Sequence, residues 1–137
     1  MNPMRRRLCG AGALLAGLPR IALAARRTVT DSAGRKVAIP ERVDRVFAAG
    51  PPASILLFAL APDTLMGWTT PFRPAERPFV PERYADLPVL GRLTGRGNTA
   101  NIETVIAAKP DLIFDYGTVN PTYASLADRV QAQTGIP

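Results

Sequence analysis

The side chains that could do chemistry in this sequence are aromatic rings, hydroxyls and arginines, because the 137 residues include no histidine. That excludes a Ser-His-Asp or Cys-His nucleophile pair, an imidazole base and a histidine-based zinc site. No other nucleophile has a base placed beside it in the sequence. Rings, hydroxyls and guanidinium groups hold a ligand by stacking and hydrogen bonding. We therefore expect a binding protein and not an enzyme, with no cofactor, no metal ligands and no catalytic residues.

The candidate binding residues follow predicted strands. In an open parallel sheet, ligands bind at the carboxyl ends of the strands. Trp68 and Arg92 each have a second interpretation, since a tryptophan after an apolar strand is often a core residue and a loop arginine is often only solvated. The candidate ligand contacts are Pro51, Pro52, Trp68, Thr69, Phe72, Arg92 and Tyr116.

The elements that would position these residues alternate between strand and helix. Each unit has a short unbroken apolar run, a Gly/Pro loop and a helical stretch, which predicts a parallel sheet with right-handed crossovers. Five prolines between residues 71 and 88 exclude long regular elements there. Strands are predicted at 45–49, 65–68, 88–90 and 111–115, and helices at 53–61, 101–108 and from Pro121 to Gly135.

Two features flank this α/β pattern. Residues 28–30 and 35–39 surround the turn-forming Asp31-Ser32-Ala33-Gly34 and predict a β-hairpin that Pro40 closes. At the other end, the sequence stops where a helix would turn into the next strand. The fold class is therefore α/β, a parallel-sheet sandwich with an N-terminal hairpin, and we expect it to be the front portion of a longer protein.

The first 25 residues have the order of an export signal. A basic start at residues 5–7 precedes an apolar run at 8–18 and a small-residue cleavage site near Ala24 and Ala25. The consecutive arginines favour the twin-arginine route. The alternative, a basic extension of a cytosolic protein, explains the arginines but not the order of the three regions. We predict a periplasmic protein.

Removing this segment changes the charge and the thiol content. Four arginines and Cys9 leave with it, so 13 basic and 11 acidic residues remain, a net charge of +2 against +6 for the whole chain. A charge this small, without a clustered basic face, gives no support to nucleic-acid binding.

Residues 95–100 leave an enzymatic alternative open. They read Gly-Arg-Gly-Asn-Thr-Ala and match a G-x-G-x-x-A dinucleotide fingerprint, with Asp115 about 20 residues after the first glycine. The fingerprint requires its first glycine directly after a strand, whereas here a loop from Gly91 intervenes. An exported NAD(P)-dependent oxidoreductase fragment is the alternative that this loop would support.

The region from Thr28 onward resembles the N-terminal lobe of periplasmic substrate-binding proteins of ABC importers for iron-siderophores, haem and cobalamin, the class III type with a helical backbone. The resemblance begins with Thr-Val-Thr-Asp-Ser-Ala-Gly-Arg at residues 28–35 and continues through a Gly-Pro-Pro loop before an apolar helix. Its most specific part is residues 101–113, which are similar to the family pattern N-x-E-x-x-x-A-x-K-P-D-L-I.

The resemblance implies two α/β lobes joined by a long helix, with the ligand between them. Residues 26–137 would form most of the N-terminal lobe, truncated at its C-terminus. The seven candidate contacts match loops that face the ligand in the family. A single lobe offers only half of the cleft, so we expect weak binding by this chain.

The resemblance also implies the ligand class and a partner. Within that class, the aromatic and arginine loops favour an anionic ferric siderophore, with cobalamin or haem as alternatives. Tyr116 or Tyr123 would have to replace a histidine as a haem ligand. Glu103 matches the glutamate that docks onto arginines of the inner-membrane permease. Its alternative role is a first-turn carboxylate favoured by the helix dipole. A monomer is expected.

Overall fold

A β-hairpin begins the described part of the chain. The computed structural model describes residues 26–94 and 100–137, so the predicted signal peptide and residues 95–99 of the glycine loop lie outside it. Strand β1 (Arg26–Thr30) pairs antiparallel with β2 (Lys36–Pro40). The Asp31 carboxylate accepts the Ala33 and Arg35 amides, both at 2.9 Å, and closes the turn.

The hairpin is longer than predicted. Pro40 pairs with Arg26 as the last residue of β2 and does not stop the strand before it. A proline is tolerated there because a strand end needs no further donor. The Arg35 guanidinium also donates to Asp128 at 3.0 Å, which ties the hairpin to the last helix.

The central sheet is parallel, as predicted, but two of its four predicted strands are very short. Strand β3 (Val46–Ala48) pairs with β4 (Leu112–Phe114). The segments around Leu65 and Val89 contribute only single parallel bridges, Val46 to Leu65 and Trp68 to Val89. Proline 88 has no N–H to donate, which limits the pairing at residues 88–90 to its carbonyl and the Leu90 amide.

Within residues 26–94 and 100–137, four α-helices surround the sheet: α1 (Pro51–Leu60), α2 (Glu82–Ala85), α3 (Ile102–Ala108) and α4 (Pro121–Thr134). Short 3₁₀ helices lie at Pro62–Thr64 and Arg77–Phe79. The first helix begins two residues earlier than predicted, because the proline φ fits the first helical turn. Residues 71–88 hold only short elements, which confirms the inference from their prolines.

The two later helices begin as predicted. The Asn101 side chain accepts the Thr104 amide at 2.8 Å, and the Asn120 side chain accepts the Tyr123 amide at 3.0 Å. Lys109, at φ 51°, ends α3, and Gly135, at φ 69°, ends α4. Glycine adopts this left-handed conformation without a steric penalty, whereas Lys109 does so just before Pro110.

Side chains of β3 point alternately to two separate cores, so the described part of the chain is a three-layer sandwich. Val46 and Ala48 face α1, and Phe47 faces α3 and α4. The α1-side core consists of Val46, Ala48, Ala53, Leu57, Leu65, Trp68 and Tyr84. The α3–α4-side core consists of Phe47, Ala49, Leu93, Ala100, Val105 and Val130.

The outer edge of β4 contacts the last residues of the chain. The Ile113 amide donates to the Pro137 carbonyl at 2.8 Å, so residues 136 and 137 lie alongside β4 on the side away from β3. Ile136 also packs against the α3–α4-side core. The segment after α4 therefore returns to the sheet edge, as expected for an α/β unit.

Candidate ligand-binding site

Two adjoining grooves open along α1 at the carboxyl ends of the strands. The first groove, about 490 Å³, is lined by Pro51, Pro52, Ile55, Leu56, Ala59 and Tyr116. The second groove, about 380 Å³, is lined by Pro51, Ser54 and Ile55 of α1 and by residues 68–72, 76, 79 and 80. Because Pro51 and Ile55 line both, the two grooves share the first turns of α1 as a ridge.

The start of α1 makes this ridge apolar. Gly50 is its N-cap and has no side chain to accept a hydrogen bond, and Pro51 and Pro52 follow. The first turn of a helix ordinarily presents unsatisfied N–H groups, but two of them are missing here because proline has none. A ligand in the first groove therefore meets proline rings and Ile55 instead of amide donors.

Trp68 belongs to the core and to the second groove at once. It is 4% exposed, and its indole N–H donates to the Tyr84 carbonyl at 2.7 Å. The Phe72 ring lies 4.7 Å from the Trp68 ring in an edge-on arrangement. The half-buried Phe72 thus presents an aromatic surface at the groove that Trp68 supports from below.

Thr69 is buried at the junction of this loop with α1. It is 3% exposed, and its hydroxyl lies 3.5 Å from the Ser54 hydroxyl. Both hydroxyls line the second groove, and Ser54 also donates to the Pro51 carbonyl at 2.9 Å. This pair is the polar part of the floor.

Tyr116 forms the far wall of the first groove. It follows β4 and is 56% exposed, the exposure expected of a ring that faces a ligand and not a core. The Asp115 carboxylate accepts the Tyr116 amide at 2.9 Å and the Thr94 hydroxyl at 3.2 Å. The backbone of Tyr116 is thereby tied to the neighbouring loop.

The grooves bring together six of the seven predicted contacts, and Arg92 lies elsewhere. Arg92 is half-buried, its carbonyl accepts the Ala100 amide at 3.1 Å, and it lines neither groove. Glu103 is exposed in the first turn of α3. That position is compatible with both of its predicted roles.

Several groove residues were not among the predicted contacts. Ile55 and Phe79 are 59% and 85% exposed, which is unusual for side chains of this size. The sequence of α1 is apolar on all sides, so some of its apolar side chains had to be exposed, and Ile55 could have been found from that pattern. Phe79 lies in the proline-rich segment, where no hydrophobic periodicity marks it.

Glu76 is the charged residue that lines the second groove. It forms an ion pair with Arg73, whose backbone amide it also accepts at 2.9 Å. The side-chain hydrogen bond from Arg73, together with the Arg73 backbone amide, lowers the pKa of Glu76. The pair brings no net charge to the groove, but it places a guanidinium at the rim.

Some kinds of site do not occur in the described stretches. Within residues 26–94 and 100–137, no three or more acidic or cysteine side chains come together as a metal-binding group. In those same stretches, no helix combines the length and the apolar character that crossing a bilayer requires.

Comparisons with known proteins find similar folds among solved structures. No family model and no curated protein matches the sequence. Among solved structures, an ABC transporter solute-binding protein from Sulfurospirillum deleyianum is similar over 81% of this chain and 35% of its own, with 28% identity and a TM-score of 0.66. A periplasmic solute-binding protein from Veillonella parvula shares the fold over 82% of this chain and 34% of its own, with 16% identity and a TM-score of 0.53.

The chain thus spans about a third of the length of the solved structures it matches. The sandwich described above corresponds to part of the fold of periplasmic solute-binding proteins of ABC transporters.

Proposed function

We propose that this protein is the periplasmic solute-binding component of an ABC importer. It captures a ferric siderophore or a related metal chelate and delivers it to an inner-membrane permease, without catalysing a reaction. The pair of grooves along α1 carries the proposal, because predicted contacts up to 65 residues apart in the sequence line them. The similarity to an ABC transporter solute-binding protein supports the same role.

The lining of the grooves supports a large ligand with a flat or apolar face. Pro51, Pro52 and Ile55 offer apolar surface, and Tyr116 and Phe72 offer ring faces and edges on either side. Aromatic stacking contributes about 0.5–1.5 kcal/mol per ring beyond burial of area. Chelated iron in a catecholate or hydroxamate shell presents such faces.

Arg73 at the rim favours an anionic chelate. Its guanidinium is exposed and pairs with Glu76 on the groove wall. Arg73 bonds Glu76 through Nε and Nη2, so its other guanidinium N–H groups can donate to an anionic ligand while the ion pair keeps Glu76 neutralised. This is the chemistry by which a ferric tris-catecholate would be preferred over a neutral trihydroxamate.

The binding proposal is tested by equilibrium dialysis of the purified chain. The probes are ferric tris-catecholate, ferric trihydroxamate, cobalamin and haemin, each followed by its absorbance. We expect saturable but weak binding of the catecholate, with a dissociation constant on the order of 0.1 mM, because one lobe contacts only one face of the ligand. Tyr116→Ala should weaken it by about 3–10-fold through the lost ring contact.

The control is Leu60→Ala, which removes an exposed apolar side chain of α1 that lines neither groove. It should leave the dissociation constant unchanged. Absence of binding by all four probes would contradict the proposed ligand class. If the same dialysis experiment showed saturable binding of NADH that is lost in Gly97→Trp, it would instead support the oxidoreductase alternative.

Export is the second part of the proposal. Periplasmic delivery requires removal of the predicted signal peptide, residues 1–25. Mass spectrometry of the protein from a periplasmic extract should give a chain that starts near Arg26, and Arg5→Lys with Arg6→Lys should block export by the twin-arginine route. An uncleaved cytoplasmic product would contradict it.

Delivery to the permease is assigned to Glu103. Glu103 is exposed at the start of α3, which leaves the carboxylate available to a basic partner surface. Glu103→Arg should leave chelate binding by dialysis unchanged and should lower uptake of radioactive iron by cells that depend on this protein. Equal uptake by the wild type and the variant would contradict the docking role, whatever the ligand.

A further inference from the structure

A hydrogen-bonded junction lies directly behind Tyr116, where β3 and β4 end side by side. The Ala49 amide donates to the Phe114 carbonyl at 2.8 Å, which keeps the two strand ends in register. The Ala49 carbonyl in turn accepts the amides of Leu93 and Thr94 at 2.8 and 3.0 Å. Three separate segments of the chain therefore meet at this point.

The Thr94 hydroxyl connects this junction to Asp115. It lies 3.2 Å from the Asp115 carboxylate and 3.2 Å from the Ala49 carbonyl. A hydroxyl has one proton to donate, and hydrogen bonds to ionised acceptors are the stronger ones. Because the Ala49 carbonyl already has two amide donors, the proton is best used by Asp115.

Gly50 makes room for this contact. A Cβ at position 50 would lie 2.6 Å from the Thr94 hydroxyl oxygen and 3.7 Å from the Asp115 carboxylate. The φ of Gly50 is −152°, which any residue adopts, so the glycine is needed for space and not for its backbone freedom. The start of α1 and the Asp115 carboxylate can approach each other for this reason.

The same carboxylate oxygen accepts the Tyr116 amide at 2.9 Å. We propose that Asp115 is a positioning residue for ligand recognition: anchored by Thr94 across Gly50, it holds Tyr116 against Pro51 and Pro52 and so preforms the wall of the first groove. The proposal rests on the binding function proposed above. Asp115 acts through Tyr116 and does not itself contact the ligand.

Two variant pairs test this role. Asp115→Ala and Thr94→Val remove the anchoring acceptor and donor, whereas Asp115→Asn and Thr94→Ser keep an oxygen at the same place. Amide hydrogen exchange of Tyr116, followed by NMR, should become about 10-fold faster in the first pair and stay near wild type in the second. Glu41→Gln, an exposed carboxylate at the end of the hairpin, is the control for lost charge.

Binding of ferric tris-catecholate supplies a second readout. Asp115→Ala should weaken it about as much as Tyr116→Ala does, and should have no further effect when Tyr116 is already alanine. If Asp115 had only a structural role, its substitution would lower the affinity further in the Tyr116→Ala variant. Thr94→Val provides the same test if Asp115→Ala fails to fold.

The outcomes separate this proposal from the binding function. Unchanged Tyr116 exchange in both Asp115→Ala and Thr94→Val, or additive losses of affinity, would overturn the positioning role. If the wild type binds no chelate, the transport proposal fails and the ligand-positioning role fails with it, even where faster exchange shows that the anchor exists. Both proposals are supported if Tyr116 exchanges faster in Asp115→Ala and Thr94→Val while Asp115→Asn keeps wild-type exchange and wild-type chelate binding.

Discussion

The two faces of the central sheet are covered by helices that begin in different ways. On one face, α3 and α4 each start with an asparagine cap whose side chain accepts a backbone amide. On the other face, α1 starts with Gly50 and two prolines and has no side-chain cap. The first arrangement satisfies the helix ends within the fold, and the second leaves an apolar helix start at the surface.

Burial follows the same division. The α3–α4-side core contains the almost fully buried Phe47 and Val105, at 1% and 0% exposure. The α1-side core instead continues into the second groove through Trp68 and Phe72. One face of the sheet therefore supplies stability, and the other combines stability with a surface for a ligand. The predictions below test that division.

The largest effect is expected from Phe47→Ala. The substitution leaves a cavity in the closed core beside α3 and α4, where large-to-alanine changes at aromatic positions cost about 3–5 kcal/mol. Urea unfolding, followed by the fluorescence of Trp68, should show either this loss or an unfolded protein. A loss below about 1 kcal/mol would contradict the description of this face as a closed core.

A smaller loss is expected from Gly67→Ala on the other side. An added Cβ would lie 2.5 Å from the Pro88 carbonyl oxygen and 2.8 Å from the Leu90 side chain, so the short strand pair must separate. Such overpacking costs about 1–3 kcal/mol. In the matched variant Gly50→Ala, the added Cβ lies 2.6 Å from the Thr94 hydroxyl but 3.8 Å from the nearest backbone oxygen, so the variant should lose less stability in the same urea titration.

The helix caps come next. Asn101→Ala and Asn120→Ala should each destabilise the protein by about 1 kcal/mol, since each removes the acceptor for one exposed helix amide. Asn→Asp at either position keeps the acceptor and should restore most of the loss. Thermal unfolding measures both, and an unchanged midpoint in the alanine variants would weaken the contrast with the uncapped α1.

Ile55→Ala and Leu60→Ala separate binding from stability on α1. Both side chains are exposed, at 59% and 76%, so each variant should change the free energy of unfolding by about 0.5 kcal/mol or less. Only Ile55 lines the grooves. Dialysis against ferric tris-catecholate should therefore show weaker binding for Ile55→Ala alone, and equal binding by the two variants would contradict the groove assignment.

The smallest effect is a dependence of stability on pH at the hairpin. Desolvation opposes the shift, but the hydrogen bonds and charge of Arg35 outweigh it and lower the pKa of Asp31. Because the pKa of Asp31 is lower in the folded state, its carboxylate stabilises the fold at pH values above the ordinary aspartate pKa. This stabilisation is lost as the pH falls through the pKa of the folded state. Asp31→Asn should flatten the loss of stability below about pH 4, measured by urea unfolding.

Local sequence signals predicted much of this fold. The asparagine caps, the Gly135 stop and the turn around Asp31 each act within a few residues, so their chemistry is visible in the sequence. The reduction of residues 65–68 and 88–90 to single bridges was not predictable in that way. The missing N–H of Pro88 is visible in the sequence, but how far each segment pairs with its neighbour depends on contacts between segments.

The site shows the same limit. The position of the contacts at the strand ends followed from the α/β pattern, and six of the seven predicted contacts line the grooves. Arg92 differs because the direction of a loop depends on its packing. Phe79 was missed because no periodic pattern marks it, and the role of Tyr84 as a partner of the Trp68 indole depends on a contact across 16 residues.

Paramagnetic line broadening in ¹H–¹⁵N NMR spectra tests the central claim most directly. Titration of the labelled chain with ferric tris-catecholate, with the gallium complex as the diamagnetic control, reports which amides lie near the iron. The account predicts that signals of Ile55, Thr70 and Tyr116 broaden first, while those of Val105 and Val130 on the opposite face persist. Broadening centred on α3 and α4, or none at saturating chelate, would contradict the assignment of the α1 grooves as the ligand-binding surface.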